Sequence, residues 1–307
     1  MCFTRKPTSW AIAFLCVVTL SIGAQATTLR VRCSGNTVPS KINDALKLLN
    51  PAGPNTLKVV GTCNENVFIQ GFNRLTLIAD PTATINDASG GTDIAVNIDD
   101  STDITLQGFT VTGGVIGVLC GNFSVCRFEG NTIQGASVAG VQAYQSRASF
   151  ETNTIQNNAN GLVSLESSSV RSNGGLIIQQ NQGSGVIVDT GGSFHAFSTT
   201  IRDNSGNGID ALNHGSVLLL ATTVTGNSAN GVNVTGQSAA DFEVDNVVTG
   251  NAADGVVVKD GSFAEFRSAN TVTGNGSGRD VDCQPKFPAT RGALTNIGGG
   301  TTNCVEP

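Results

Sequence analysis

Two carboxylates, Asp189 and Asp210, are the residues whose type and spacing come nearest to chemistry. They fall on neighbouring units of a repeat, two residues apart along the strand. Combining ~4.8 Å between strands with ~6.7 Å along one puts them roughly 8 Å apart. That lies inside the span of about 6.5–9.5 Å at which an acid and a base flank a water in inverting glycoside hydrolysis. The same ladder turns Gln142, Val163, Ile187, Asp210, Asn233 and Val257 outward, with Tyr144, Leu165, Asp189, Leu212, Thr235 and Lys259 two residues further on. Its polar and aromatic members, Gln142, Tyr144, Asp189, Asp210, Asn233 and Lys259, are the candidate ligand contacts, for the carbohydrate that the resemblance given below implies. Two acids on a solvated face reach such spacing often, so no catalytic residue is assigned beyond naming Asp189 and Asp210 as candidates.

Other titratable groups offer less. Asp87, Asp93, Asp99, Asp100 and Asp103 form a local acidic cluster with the hard oxygen ligands that Ca²⁺ takes. Solvated turns explain them as well, and no metal ligand is assigned. His195 falls at the place where neighbouring units carry Leu218 and Ala264, which suggests a partly buried ring. His214, in Asn213-His214-Gly215, lies at a turn with no evident partner for proton transfer.

What positions these groups is a repeat. A glycine followed by an aliphatic residue recurs at Gly117, Gly140, Gly161, Gly185, Gly208, Gly231 and Gly255, and an asparagine recurs at Asn158, Asn181, Asn204, Asn227, Asn251 and Asn275. Both series step by about 23 residues, the signature of a stacked solenoid. Each unit, such as TVTGNSANGVNVTGQSAADFEVDN from Thr223 to Asn246, holds three short β-prone runs between Gly, Asn, Asp or Ser turns. One unit is then one triangular coil, and successive coils stack in parallel to bury a core that no coil buries alone. Parallel crossovers are right-handed in nearly all cases. The expected fold is therefore all-β: a single-stranded, right-handed parallel β-helix of roughly nine coils. No leucine scaffold supports a leucine-rich repeat, and a propeller blade needs about 40 residues or more. The asparagines are expected to stack inside a turn, each amide bonding its neighbours. The glycines are expected to make a corner that needs φ > 0. Phe150, Phe197, Phe242 and Phe266 are expected to form an internal aromatic stack.

The remaining segments read as ends. Residues 1–26 have a signal peptide pattern, with Arg5 and Lys6, an apolar Trp10 to Ile22 stretch too short to span a bilayer, and Ala24-Gln25-Ala26. Residues 27–56 form an N-terminal cap with an amphipathic helix over Lys41 to Leu49, Ser40 as N-cap and Pro51 as stop. Residues 57–280 are the β-helix, and 281–307 a C-terminal cap. Cleavage removes Arg5 and Lys6, taking the formal charge from −6 by two to −8. Such a chain carries no basic stripe for nucleic acid, its overall charge disfavours tight, metal-free binding of a polyanion, and no membrane span remains. Six cysteines are left, Cys33, Cys63, Cys120, Cys126, Cys283 and Cys304, without the paired spacing of a zinc site. In an exported chain they suggest three disulfides. Fifteen connectivities are open, with 33–63, 120–126 and 283–304 as the expected set. The location implied is secreted, periplasmic or at the cell surface; the sequence does not define an oligomeric state.

The unit NTIQNNANGL, from Asn153 to Leu162, and its counterparts through Asn275 resemble secreted right-handed parallel β-helix repeat proteins of the pectate-lyase-like superfamily. The stretch from Val59 to Val67 looks like the first coil of such proteins, where a cysteine-bearing turn follows the lid helix. The resemblance covers about residues 57 to 280 and is specific for fold, since this scaffold hosts lyases, hydrolases, epimerases and adhesins. It implies, for a lyase, an Arg or Lys base with a cation such as Ca²⁺, and for a hydrolase, paired carboxylates. The chain lacks the clustered arginines of pectate lyases and the complete Asp, His and Arg-Lys pattern of polygalacturonases. The expectation is a β-helix that binds or displays at a cell surface without catalysis, an extended polysaccharide being its ligand. A polysaccharide-degrading lyase or hydrolase with a divergent site, and a structural adhesin or envelope component, are the alternatives.

Overall fold

A computed structural model describes residues 26–33, 39–276, 278–284, 290–291 and 294–305. The expected signal segment, apart from Ala26, lies outside them. The chain forms a right-handed parallel β-helix. Its first strands make one sheet of ten, from Val67–Gln70 to Val281–Gln284. Second and third strands make a continuous sheet of 19, because Asn55–Asn64, Asn73–Asn86 and Thr102–Thr112 bend around the corner between two faces without a break. Every pairing between these strands is parallel.

Strand alternation sends one set of side chains inside, where Val, Ile, Leu and Ala fill the coil in successive layers. Phe128 and Phe150 stack with centroids 5.0 Å apart, and Phe242 and Phe266 at 4.7 Å. Phe197 does not join them and is exposed. In its coil the interior place, in register with Leu219 and through it with Phe242, belongs to Ala196, and Phe194 enters the core two residues earlier.

At the corner entering the first strand the asparagines form a continuous ladder. The backbone N–H and side-chain amide of Asn158 both donate to Asn181 Oδ1 (3.0 and 3.1 Å), and the pattern passes through Asn204, Asn227, Asn251 and Asn275. Each amide also donates to a backbone carbonyl inside the coil, as Asn204 Nδ2 does to Ile178. Buried polar groups are thereby satisfied where three strands leave them stranded. The ladder ends on the Asp280 carboxylate, which accepts both Asn275 N–H groups at 3.1 Å and holds Thr301 of the terminal segment. A second row at the corner between second and third strands joins Asn131 to Asn153 and Asn246 to Asn270.

The seven glycines act differently from the expectation. None is among the positive-φ residues. They are there because the coils approach too closely for a side chain: a Cβ on Gly208 would lie 2.6 Å from Gly231 O and 2.8 Å from Asn227 Nδ2, and would also meet Val224. Left-handed backbone falls on other residues: on those just before the ladder asparagines, such as Asn157, Gln180, Asp203 and Gly226, and at the corner between first and second strands on many types, including Asn122, Phe123, Gln145, Glu166, Ser167, Asn213 and His214.

All three expected disulfides form. Cys33–Cys63 ties Thr27–Arg32, a strand parallel to Asn55–Asn64, to the stack. The helix is shorter than its pattern, Ile42–Leu46, and its N-cap is Lys41 without a side-chain bond. Glu65 of the next coil caps it in place of Ser40, accepting from Ile42 N at 2.7 Å and Asn43 N at 3.1 Å. Cys283–Cys304 and buried Ile297 of the 3₁₀ turn Leu294–Ile297 cover the other end.

Candidate functional site

The first-strand ladder brings Gln142, Val163, Ile187, Asp210, Asn233 and Val257 into one outward row. Only Asp210 and Asn233 of the candidate contacts meet in it. Asn233 Nδ2 donates to Asp210 Oδ1 at 2.8 Å, Asn207 Nδ2 donates to the same oxygen at 2.7 Å, and Ser184 Oγ donates to Oδ2 at 2.6 Å. Both oxygens are thus taken by neighbouring coils. Asp189 lies past the end of its strand, Val186–Val188, where it accepts from Thr190 N at 2.6 Å and Asn213 Nδ2 at 2.9 Å. The two carboxylates share no partner. Gln142 is three coil steps from Asp210, roughly 14 Å. Tyr144, level with Leu165, and Lys259, level with Gln284, stand at separate heights on the stack.

His195 is not partly buried: it is exposed, level with Arg171 and Leu218, whereas Ala264 belongs to the adjacent, inward row. His214 has a partner, its Nε2 lying 3.0 Å from Gln237 Oε1. Among the acids of the 87–103 region, Asp87 is occupied by Asn66 Nδ2, Ser89 N and Oγ, and Gly91 N. Burial alone would raise its pKa, but these donors hold the carboxyl well below the usual range. Asp93 accepts from Ile94 N. Among the described residues no three of the five acids converge on one point. The one such grouping, Cys33, Cys63 and Glu65, consists of a disulfide and the helix-capping carboxylate. Among the described residues no carboxylates are thus grouped for a Ca²⁺ ion, and no step is derived through one.

A concavity lies elsewhere. A groove of about 640 Å³ opens at the corner between first and second strands, lined by Phe123, Val125, Gln145, Arg147, Glu166 and Ser169. Phe123 is 76% exposed, the most of any large apolar residue described. Its turn is held by Phe123 N to Gln145 O at 2.8 Å and Ser124 N to Gly121 O at 3.1 Å. The Cys120–Cys126 disulfide closes beneath that turn. A smaller hollow of about 170 Å³, lined by Arg171, His195, Phe197, Leu218 and Leu220, follows on the second-strand face. Sequence periodicity does not reveal these residues, since they share no type from coil to coil. The accessible signal was a cysteine pair six residues apart bracketing a lone phenylalanine.

Ten stacked parallel strands on one face, an internal asparagine ladder and covered ends define a right-handed parallel β-helix protein. The family model "Right handed beta helix region" matches residues 94–247, half of the chain, and the protein belongs to that family. In three dimensions it is similar to the pectate lyase Pel9A (TM-score 0.59, 14% identity, 85% of this chain and 79% of that one). It is also similar to two mannuronan C-5 epimerase A-modules of Azotobacter vinelandii, AlgE6 (0.59, 14%, 93% and 92%) and AlgE4 (0.55, 13%, 87% and 90%). At such identity the likeness is one of fold. No curated protein gives a significant sequence match. No helix among the described residues is long and apolar enough to cross a membrane.

Proposed function

We propose that this protein is an exported β-helix that binds an extended polysaccharide without cleaving it. The observation that carries this reading is the condition of the outward wall. It runs for ten strands, long enough to lie beside a polymer, while its best-placed acid, Asp210, has both oxygens engaged by Ser184, Asn207 and Asn233. A general acid or base needs a free oxygen within reach of the substrate, and the other acid of that row, Asp282, lies three coil steps away. Support comes also from the proteins similar in fold, a pectate lyase and mannuronan epimerases, all of which act on polysaccharides. Export accords with the N-terminal segment and the three disulfides.

The test is affinity electrophoresis over a panel of neutral and acidic glycans, paired with assays for new reducing ends and unsaturated uronates with Ca²⁺ present. Retardation without product, unchanged in an Asp189→Asn, Asp210→Asn double variant of normal urea midpoint, is the expected result. Product release by the wild type that disappears in the double variant would establish the enzyme reading instead. Absence of retardation by every glycan would leave a structural role.

A further inference from the structure

Resting on the polysaccharide reading, we infer that the corner groove and the adjoining second-strand hollow are two subsites for one acidic polysaccharide, each pairing an exposed phenylalanine with an unpartnered guanidinium. In the first, Phe123 stands beside Arg147; in the second, Phe197 stands beside Arg171, with His195 at the same level. Neither guanidinium has an ion-pair or hydrogen-bond partner among the described residues, although Arg30, Arg127, Arg202, Arg267 and Arg279 all have carboxylates. Arg147 is level with Ser169, and Arg171 is two residues along that same strand, so their backbones are roughly 8 Å apart on adjacent coils.

The chemistry matches a uronate. The planar fork of arginine takes a carboxylate through two parallel hydrogen bonds, and the apolar C–H face of a pyranose packs on an aromatic ring. Glu166 and Ser169 are left to bond sugar hydroxyls. Phe123 adopts φ +63°, a region bulky residues seldom enter, and the disulfide between Cys120 and Cys126 fixes the turn that presents it. A rigid aromatic loses little freedom on binding. Charge also bounds the site. Beyond Leu218 the same outward row continues with Asp241 and Glu265, which with Glu243 surround the single Arg267. A polyanion is repelled there, so the contact spans the coils from Phe123 to Leu220, four steps or roughly 19 Å.

The probes are polygalacturonate, its full methyl ester and dextran sulfate, run in affinity electrophoresis at about 20 and 200 mM salt, where screening separates ionic from apolar contact. The wild type is expected to be retarded by polygalacturonate at low salt and not by the ester. An Arg147→Gln, Arg171→Gln double variant is expected to bind about tenfold more weakly, as two charge-assisted contacts imply, and Phe123→Ala several-fold more weakly at either salt. Urea midpoints matching the wild type confirm that these exposed changes leave the fold intact. Equal retardation by the ester, retardation by dextran sulfate alone, or unchanged binding in both variants would overturn the inference while leaving polysaccharide binding in place. No retardation of the wild type by any glycan would overturn both.

Discussion

At the corner entering the first strand, every coil from Asn158 to Asn275 places the same residue inside and closes its hydrogen bonds on the coil below. At the corner leaving that strand the bend is made by left-handed backbone, in residues as unlike as Phe123, Gln145, Glu166 and His214, whose side chains face solvent. The first corner needs a side chain to satisfy buried backbone groups, so residue type is confined. The second keeps a smaller buried row, in which Ser124, Ser168, Ser238 and Ser262 hydroxyls accept backbone N–H groups of the preceding coil, while the left-handed residues beside that row vary in type and are free to serve a ligand. Regularity in this protein marks the scaffold, and variety marks the surface available for binding.

Breaking the regular corner should have the largest effect. Asn204→Ala removes the acceptor of Asn181 N–H and Nδ2 and the donor to Ile178 O and Asn227, all buried. Leaving such groups unpaired is expected to cost about 4 kcal/mol, read as a lowered urea midpoint. A smaller loss, about 2 kcal/mol, is expected for Asp280→Asn, which sets an amide where Asn275 and Thr301 need an acceptor. This group also ties stability to acidity. Burial would raise the Asp280 pKa, but hydrogen bonds from Thr301 and Asn275 lower it overall. Its contribution is therefore complete above the unfolded value of about 3.9 and fades as pH falls through the lower folded value. Urea midpoints measured below about pH 4 should decline more steeply in the wild type than in the variant. The smallest effect belongs to the varied corner. Phe123→Gly relieves a left-handed bulky residue while loosening the unfolded chain, and stability should stay within about 0.5 kcal/mol of the wild type. A loss there comparable to Asn204→Ala would erase the distinction between the corners.

The solenoid was legible in the sequence because the ladder imposes one residue type at one interval, and Asn158 to Asn275 display it plainly. The glycines beside it were visible but misread, because close approach and positive φ both select glycine and a sequence does not separate them; Gly208 excludes a Cβ through Gly231 and Asn227. Phe197 and His195 were misplaced for a related reason. Outward and inward rows differ by one residue, and only the register of Ala196 with Leu219 decides which row they join. The groove was illegible because Phe123, Arg147 and Glu166 come from three coils and form a site only once those coils are stacked.

The asparagine ladder has a direction. Every side-chain amide points its oxygen toward the preceding coil and its N–H₂ toward the next, so the row is a string of aligned dipoles with its positive pole at the last coil. At that pole stands an anion, Asp280. A further coil would have to offer an amide oxygen where the carboxylate now sits. The ladder thus closes in the same hydrogen-bond grammar as its repeat, which makes its last rung a poor template for stacking another.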